Sequence, residues 1–257
     1  MIFLASAAGC QLLGQQIDGK TCDNTILKAN TPYSLSATDR VVTNGTFTDV
    51  AQILGTVTFD GHGNGTANYS GNSNSSGSGT GTEQFTYNLG ANCTGTLTET
   101  SKGRVNDLVV YAQGNSFSWT SSNNNGKVSL VSGTLLTSSC QEPPGLQELV
   151  INANGYALTG TNITGVADLT GVFQIDGMGH LTAAWTVTNG ATETTVNTSG
   201  TYTIPTNCQG SITLTDSTNM VTYVFSFNVI GDGSTFNFIA SSPSLIFAGS
   251  GQNPNAL

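Results

Sequence analysis

Charge is what this chain has least of. Of its 257 residues only 8% are Asp, Glu, Lys or Arg, about a third of the share found in an average soluble domain. The six basic residues (Lys20, Lys28, Arg40, Lys102, Arg104 and Lys127) all precede Val128, and no Lys or Arg follows. A formal net charge of −9 without a basic cluster removes the counterion-release term that drives nucleic-acid binding, so nucleic acid is not an expected partner. No stretch holds sustained helical spacing, and 32 Gly are too many for long helices. With two His in separate halves and no G-x-S-x-G elbow, neither a closed zinc set nor an activated nucleophile is in view. DGHGN at 60–64 offers Asp60 and Asn64 but lacks the third acid of a calcium loop. The expectation is a non-enzymatic chain without metal or cofactor.

What is there is a repeat. FDGHGNGT at 59–66 returns as IDGMGHLT at 175–182, an offset of 116, and NCTGTLT at 92–98 returns as NCQGSIT at 207–213, an offset of 115. YSLS at 33–36 has a likeness in YALT at 156–159. The reading is residues 1–22 as leader, 23–138 as one β-domain and 139–257 as its duplicate. Between the copies lies SSCQEPPGLQE at 138–148, stiffened by Pro143 and Pro144. GNSNSSGSGTGT at 71–82 reads as a low-complexity loop within the first copy.

The five cysteines divide along the same lines. Each copy holds one leading and one internal Cys, so the repeat predicts the pairs Cys22–Cys93 and Cys140–Cys208 and an oxidising compartment. Each bridge closes a loop of about 70 residues, worth on the order of 4 kcal/mol. Cys10 is left over at the end of MIFLASAAGC, an apolar stretch followed by small residues that reads as part of an export signal. Its AAGC tail resembles a bacterial lipobox, in which the cysteine is lipidated; plain cleavage and a free or otherwise paired thiol are the alternatives. Membrane attachment is expected only through that anchor, since no other segment is apolar enough to span a bilayer.

Apolar residues alternate with Thr and Ser along Leu181–Thr188 and Val221–Val229, the pattern of antiparallel strands with one buried face. Counting such runs between turn signals gives eight strands per copy. The second copy has them near 156–164, 167–176, 180–188, 192–204, 210–216, 220–230, 234–241 and 245–251. Hairpin-linked strands at this spacing predict an all-β fold of two tandem antiparallel eight-stranded barrels, with a pair of sandwiches as the competitor.

YSLS, GTVTFDGHGN, NCTGTLT and a closing SGT at 132–134, with their second-copy counterparts, resemble a group of secreted bacterial proteins. These carry small barrels similar to allene oxide cyclase and the lipocalins. The resemblance implies the fold and no catalytic residue.

Asp60-Gly61 and Asp176-Gly177 read as hairpin turns, with His62 and His180 at their tips. Glu83, Glu99 and Glu193 are expected on outward strand positions or loops. Trp119, Trp185, Tyr223, Phe225 and Phe238, with Tyr111, are the residues that could line a cavity, ordinary core packing being the competing reading. Three functions follow in order: an exported or surface barrel that binds a small apolar ligand or a surface partner; a self-associating subunit of a surface layer, adhesin or filament; and, by analogy of fold alone, a cyclase or isomerase.

Overall fold

The computed structural model describes residues 21–44, 46–121, 126–136, 147–204, 208–230 and 234–254. Period-2 alternation becomes sixteen β-strands. The first eight are β1 (Pro32–Thr43), β2 (Thr46–Phe59), β3 (Asn64–Ser73), β4 (Gly77–Leu89), β5 (Thr94–Glu99), β6 (Val105–Tyr111), β7 (Ser116–Ser121) and β8 (Lys127–Thr134). They pair antiparallel in chain order, and β8 returns to β1, closing a barrel. The second eight are β9 (Gln147–Thr159), β10 (Asn162–Ile175), β11 (His180–Asn189), β12 (Thr192–Thr203), β13 (Gln209–Asp216), β14 (Val221–Ile230), β15 (Thr235–Ser242) and β16 (Leu245–Gln252). These close through β9, which pairs with both β10 and β16. The fold is two up-and-down barrels, not sandwiches.

Two details correct the sequence reading. Residues 71–82 are not a loop: β3 runs through Ser73 and β4 resumes at Gly77, with Gly71 opposite Gly79. A ladder needs only backbone groups, and β2 flanks this hairpin as far as Ser73, so a Gly/Ser sequence extends it. YALT is not the counterpart of YSLS. Tyr33 lies opposite Val57 and Leu149 opposite Phe173, and Val57 and Phe173 hold the same place in the repeat. Leu149 therefore stands where Tyr33 does, and β9 begins at Gln147 rather than near 156.

The duplicated motifs fold alike atom for atom. Asp60 Oδ1 accepts from the N–H groups of His62 and Asn64 (2.7 and 2.9 Å), and Asp176 Oδ1 from those of Met178 and His180 (2.7 and 3.0 Å). Gly61 and Gly177 supply φ of 75° and 73° in these turns, a region open to Gly at little cost. Both carboxyls are held below the ordinary range. Asn64 is the main cause at Asp60, which falls to about 2, and the His180 N–H at Asp176. Cys93 and Cys208 share a left-handed φ of 63° and 66°, and their carbonyls accept 2.9 Å bonds from the Val110 N–H of β6 and the Val229 N–H of β14, each on the second strand after the cysteine.

One end of the first barrel is sealed by the chain that precedes it. Leu27 is fully buried and Ile26 packs on the core. Tyr33 donates its hydroxyl proton to the Gly114 carbonyl (2.6 Å) and accepts from the Lys28 N–H (2.9 Å). Asn24 accepts from the Leu89 N–H (2.8 Å) and, through its carbonyl, from the Tyr87 hydroxyl (3.0 Å). Cys22 and Cys93 form a disulfide that staples this plug to the β4–β5 turn, their Cα atoms 5.0 Å apart. Cys208 is also disulfide-bonded; Cys140, its expected partner, and Cys10 lie outside the described residues.

The barrels lie side by side. Val50, Gln52 and Leu54 point outward from β2 yet are buried, because Val50 packs with Tyr156 and Ile246 of the second barrel. Arg40 Nε donates to the Tyr156 hydroxyl (2.8 Å), Asn74 Nδ2 to the Thr161 carbonyl (2.7 Å), and Asn228 Nδ2 to the Gly55 carbonyl. Elsewhere the outer faces carry mainly Thr, Ser and Asn while the apolar set faces in, the reverse of a membrane-spanning barrel.

Candidate functional site: the open mouth of the first barrel

Opposite the plug, the first barrel turns polar on its inside. Inward positions on β1 read Leu35, Ala37, Asp39; on β4, Tyr87, Phe85, Glu83; on β5, Leu97 and Glu99. Glu83 and Glu99 are thus not the outward, solvated residues expected from the sequence. Each shares its strand parity with core residues, and side chains of equal parity share a face.

Cross-strand register gives each of these residues a counterpart in the second barrel. Asp39 corresponds to Gly155, Tyr69 to Trp185, Glu83 to Thr198, Glu99 to Leu214, Ser129 to Phe247 and Lys127 to Leu245. The second ring carries no charge and is filled from three of its positions: Leu214 is fully buried, and Trp185 and Phe247 are 2% exposed.

The consequence is a cavity of about 80 Å³ at the first mouth. Its floor is Leu35, Ile53, Phe85, Leu97, Trp119 and Val131, and its rim is Asp39, Glu83, Glu99, Lys102 and Arg104. Arg104 pairs with Glu99 (3.4 Å) and Lys127 with Asp39 (2.6 Å). Glu83 accepts from the Ser101 hydroxyl (2.6 Å) and N–H (3.1 Å). Burial first, and then the Glu83, Glu99 and Asp39 carboxylates, raise the Tyr69 hydroxyl above its usual pKa, with Arg104 opposing. Ser129 lines the cavity, and its hydroxyl has no hydrogen-bond partner among the described residues.

The aromatic residues singled out from the sequence divide between the two barrels. Trp119 stacks on Phe117 at 5.0 Å between centroids and borders the cavity. Trp185, Tyr223, Phe225 and Phe238 pack on one another, Trp185 meeting Tyr223 edge-on at 5.1 Å and Phe225 meeting Phe238 at 5.5 Å. Tyr111 faces solvent on the outside of β6. His62 and His180 sit at the two turns, and no group of three His, Cys, Asp or Glu able to hold a metal occurs among the described residues.

A larger depression of about 500 Å³ opens between the barrels, lined by Ser36, Ser132, Asn152, Asn154, Asp168 and neighbours. It is the weaker candidate. Asp168 is already engaged by Asn154 Nδ2 at 2.7 Å, and the Ala153, Leu169 and Ala248 in its lining are interspersed with Ser, Thr and Asn rather than gathered into an apolar floor.

Fold and site together define a tandem eight-stranded β-barrel protein with one packed barrel and one open one. No family model matches the chain, and no curated protein matches it. Among solved structures it is similar to the isotype 1 transferrin binding protein B of serogroup B Neisseria meningitidis, at 8% identity and a TM-score of 0.35, over 87% of this chain and 76% of that one. It is also similar to a DUF3598-family protein of unknown function from Nostoc punctiforme, at 9% identity and a TM-score of 0.30, over 87% of this chain and 95% of that one.

Proposed function

We propose that this is an exported, non-enzymatic binding protein whose first barrel receives the apolar end of a small amphipathic molecule. The second barrel serves as its packed support. The observation that carries the reading is the mouth: an apolar floor over Trp119 beneath a rim of both charges, present in one copy and filled by side chains in the other. Ligand pockets that swallow whole lipids or drug-sized molecules run to about 300–1,000 Å³. A space of about 80 Å³ takes an apolar group rather than a long chain, so a lipocalin-like carrier of fatty chains is disfavoured. Each rim carboxylate is engaged by a cation or a hydroxyl, an arrangement suited to holding charge rather than passing protons. Export is supported by the Cys22–Cys93 disulfide, since such bonds persist in oxidising compartments. Among the described residues, barrel closure leaves no free strand edge for filament growth by strand addition, which weighs against the self-assembling alternative.

The test is calorimetric titration of the full chain with short amphiphiles, read in parallel by tryptophan emission. Saturable heat with an emission change that disappears in Trp119→Phe is expected. An emission change that survives in Trp119→Phe and vanishes in Trp185→Phe would move the site to the other barrel and end this reading.

A further inference from the structure

We infer that the occupant of this mouth is a free α-amino acid with a short branched apolar side chain. The inference rests on the binding role proposed above and specifies its ligand.

The rim supplies charges of both signs, and two of its pairs are self-contained: Arg104 with Glu99 and Lys127 with Asp39. Glu83 and Lys102 remain. Among the described residues, Glu83 is held by the Ser101 hydroxyl and N–H without an ion-pair partner, and Lys102 has none either. They are neighbours through Ser101, which bonds Glu83 and precedes Lys102 in the chain. A ligand of one charge would meet one of them and leave the other opposed or unanswered. A neutral ligand would meet neither. A molecule with an ammonium and a carboxylate on the same carbon answers both at once, ammonium to Glu83 and carboxylate to Lys102.

Size fixes the rest of the molecule. A cavity of 150 Å³ lined by apolar side chains binds benzene, so one of about 80 Å³ has room for roughly three or four carbon atoms. That is the side chain of valine or leucine. Trp119, Leu35 and Val131 would contact it, and the unpartnered Ser129 hydroxyl, 4% exposed, is available to a polar ligand atom just beneath the rim.

The experiment compares four probes that share a branched alkyl group and differ in charge: leucine, 4-methylpentanoate, 3-methylbutylamine and 3-methyl-1-butanol. Each is titrated calorimetrically into the full chain. Leucine should bind at least tenfold tighter than the other three. Glu83→Gln and Lys102→Met should each weaken leucine by roughly five- to tenfold and leave the alcohol unchanged. Lys102 is exposed on a turn, so its replacement keeps the test informative even if Glu83→Gln perturbs folding. An alcohol as tight as leucine, or an anion or amine tighter than it, overturns the assignment of an amino acid while leaving the binding role in place. Failure of all four overturns both.

Discussion

The two barrels share strand count, turn chemistry and the conformation of their NC-x-G cysteine, yet one is filled and the other has an opening. The difference lies in a single ring of inward positions near one end. There the first copy spends Asp39, Tyr69, Glu83, Glu99, Ser129 and Lys127, and the second has Gly155, Trp185, Thr198, Leu214, Phe247 and Leu245. An eight-stranded barrel is just wide enough to be packed solid or to hold one small ligand, so a few inward substitutions decide which. Duplication of the shell did not carry duplication of the site.

Moving one residue of the first ring into the second barrel should break the comparison most severely. Leu214→Glu places an unpaired carboxylate at a fully buried position and should cost about 3–5 kcal/mol in urea unfolding. A loss under about 1 kcal/mol would mean that the second barrel also admits water at that level. Next in size is the staple. Cys22→Ser opens a bridge spanning 71 residues and should destabilise by about 2–4 kcal/mol, with Trp119 emission shifting to lower denaturant and Trp185 emission staying in place. Coincident movement of both signals would show that the barrels unfold as one unit.

A smaller effect comes from acid. The Asp60 carboxyl is lowered from 3.8 to about 2 and that of Asp176 is lowered as well, so both turns are stabilised by the ionised form. That contribution is complete above the unfolded value of 3.8 and fades as pH falls through the folded value, about 2 for Asp60. Stability against pH should therefore decline below 4, and Asp60→Asn should flatten the first barrel's share of that decline. An unchanged acid limb in this variant would assign the effect elsewhere. The smallest change is expected from Glu99→Leu, which gives the first ring its second-barrel residue. It trades a partly exposed ion pair for apolar contact and should alter stability by under about 1 kcal/mol, while amphiphile binding weakens in the same calorimetric assay.

Much of this was legible in the sequence. The repeat, the alternation and the Asp-Gly turns led to two eight-stranded barrels, because each depends on local pattern. The Cys22–Cys93 pairing followed from symmetry between the copies. Three matters were misread. The Gly/Ser run at 71–82 carries no side-chain signal for pairing, and only its place beside β2 makes it a hairpin. Tyr156 resembled Tyr33 by its neighbours, whereas register, which is set by partner strands, gives that place to Leu149. Trp119 was a cavity candidate from the sequence and borders the mouth, but the rim was not foreseen, because Glu83 and Glu99 were expected on outward strand positions or loops. Their parity with Phe85, Tyr87 and Leu97 was the available signal, and it pointed inward. What no pattern along the chain could supply is that Lys102 and Arg104, from the β5–β6 turn, come to the same rim.

The stapled plug has a directional consequence. Thr21 and Cys22 leave the first barrel beside Cys93, at the start of β5, whereas Glu99 at its other end belongs to the rim, a rise of about 20 Å along the strand. The incoming polypeptide and the open mouth are therefore at opposite poles. A chain held by the residues ahead of Thr21 would stand like a goblet on its foot, with its bowl turned away from whatever it is fastened to.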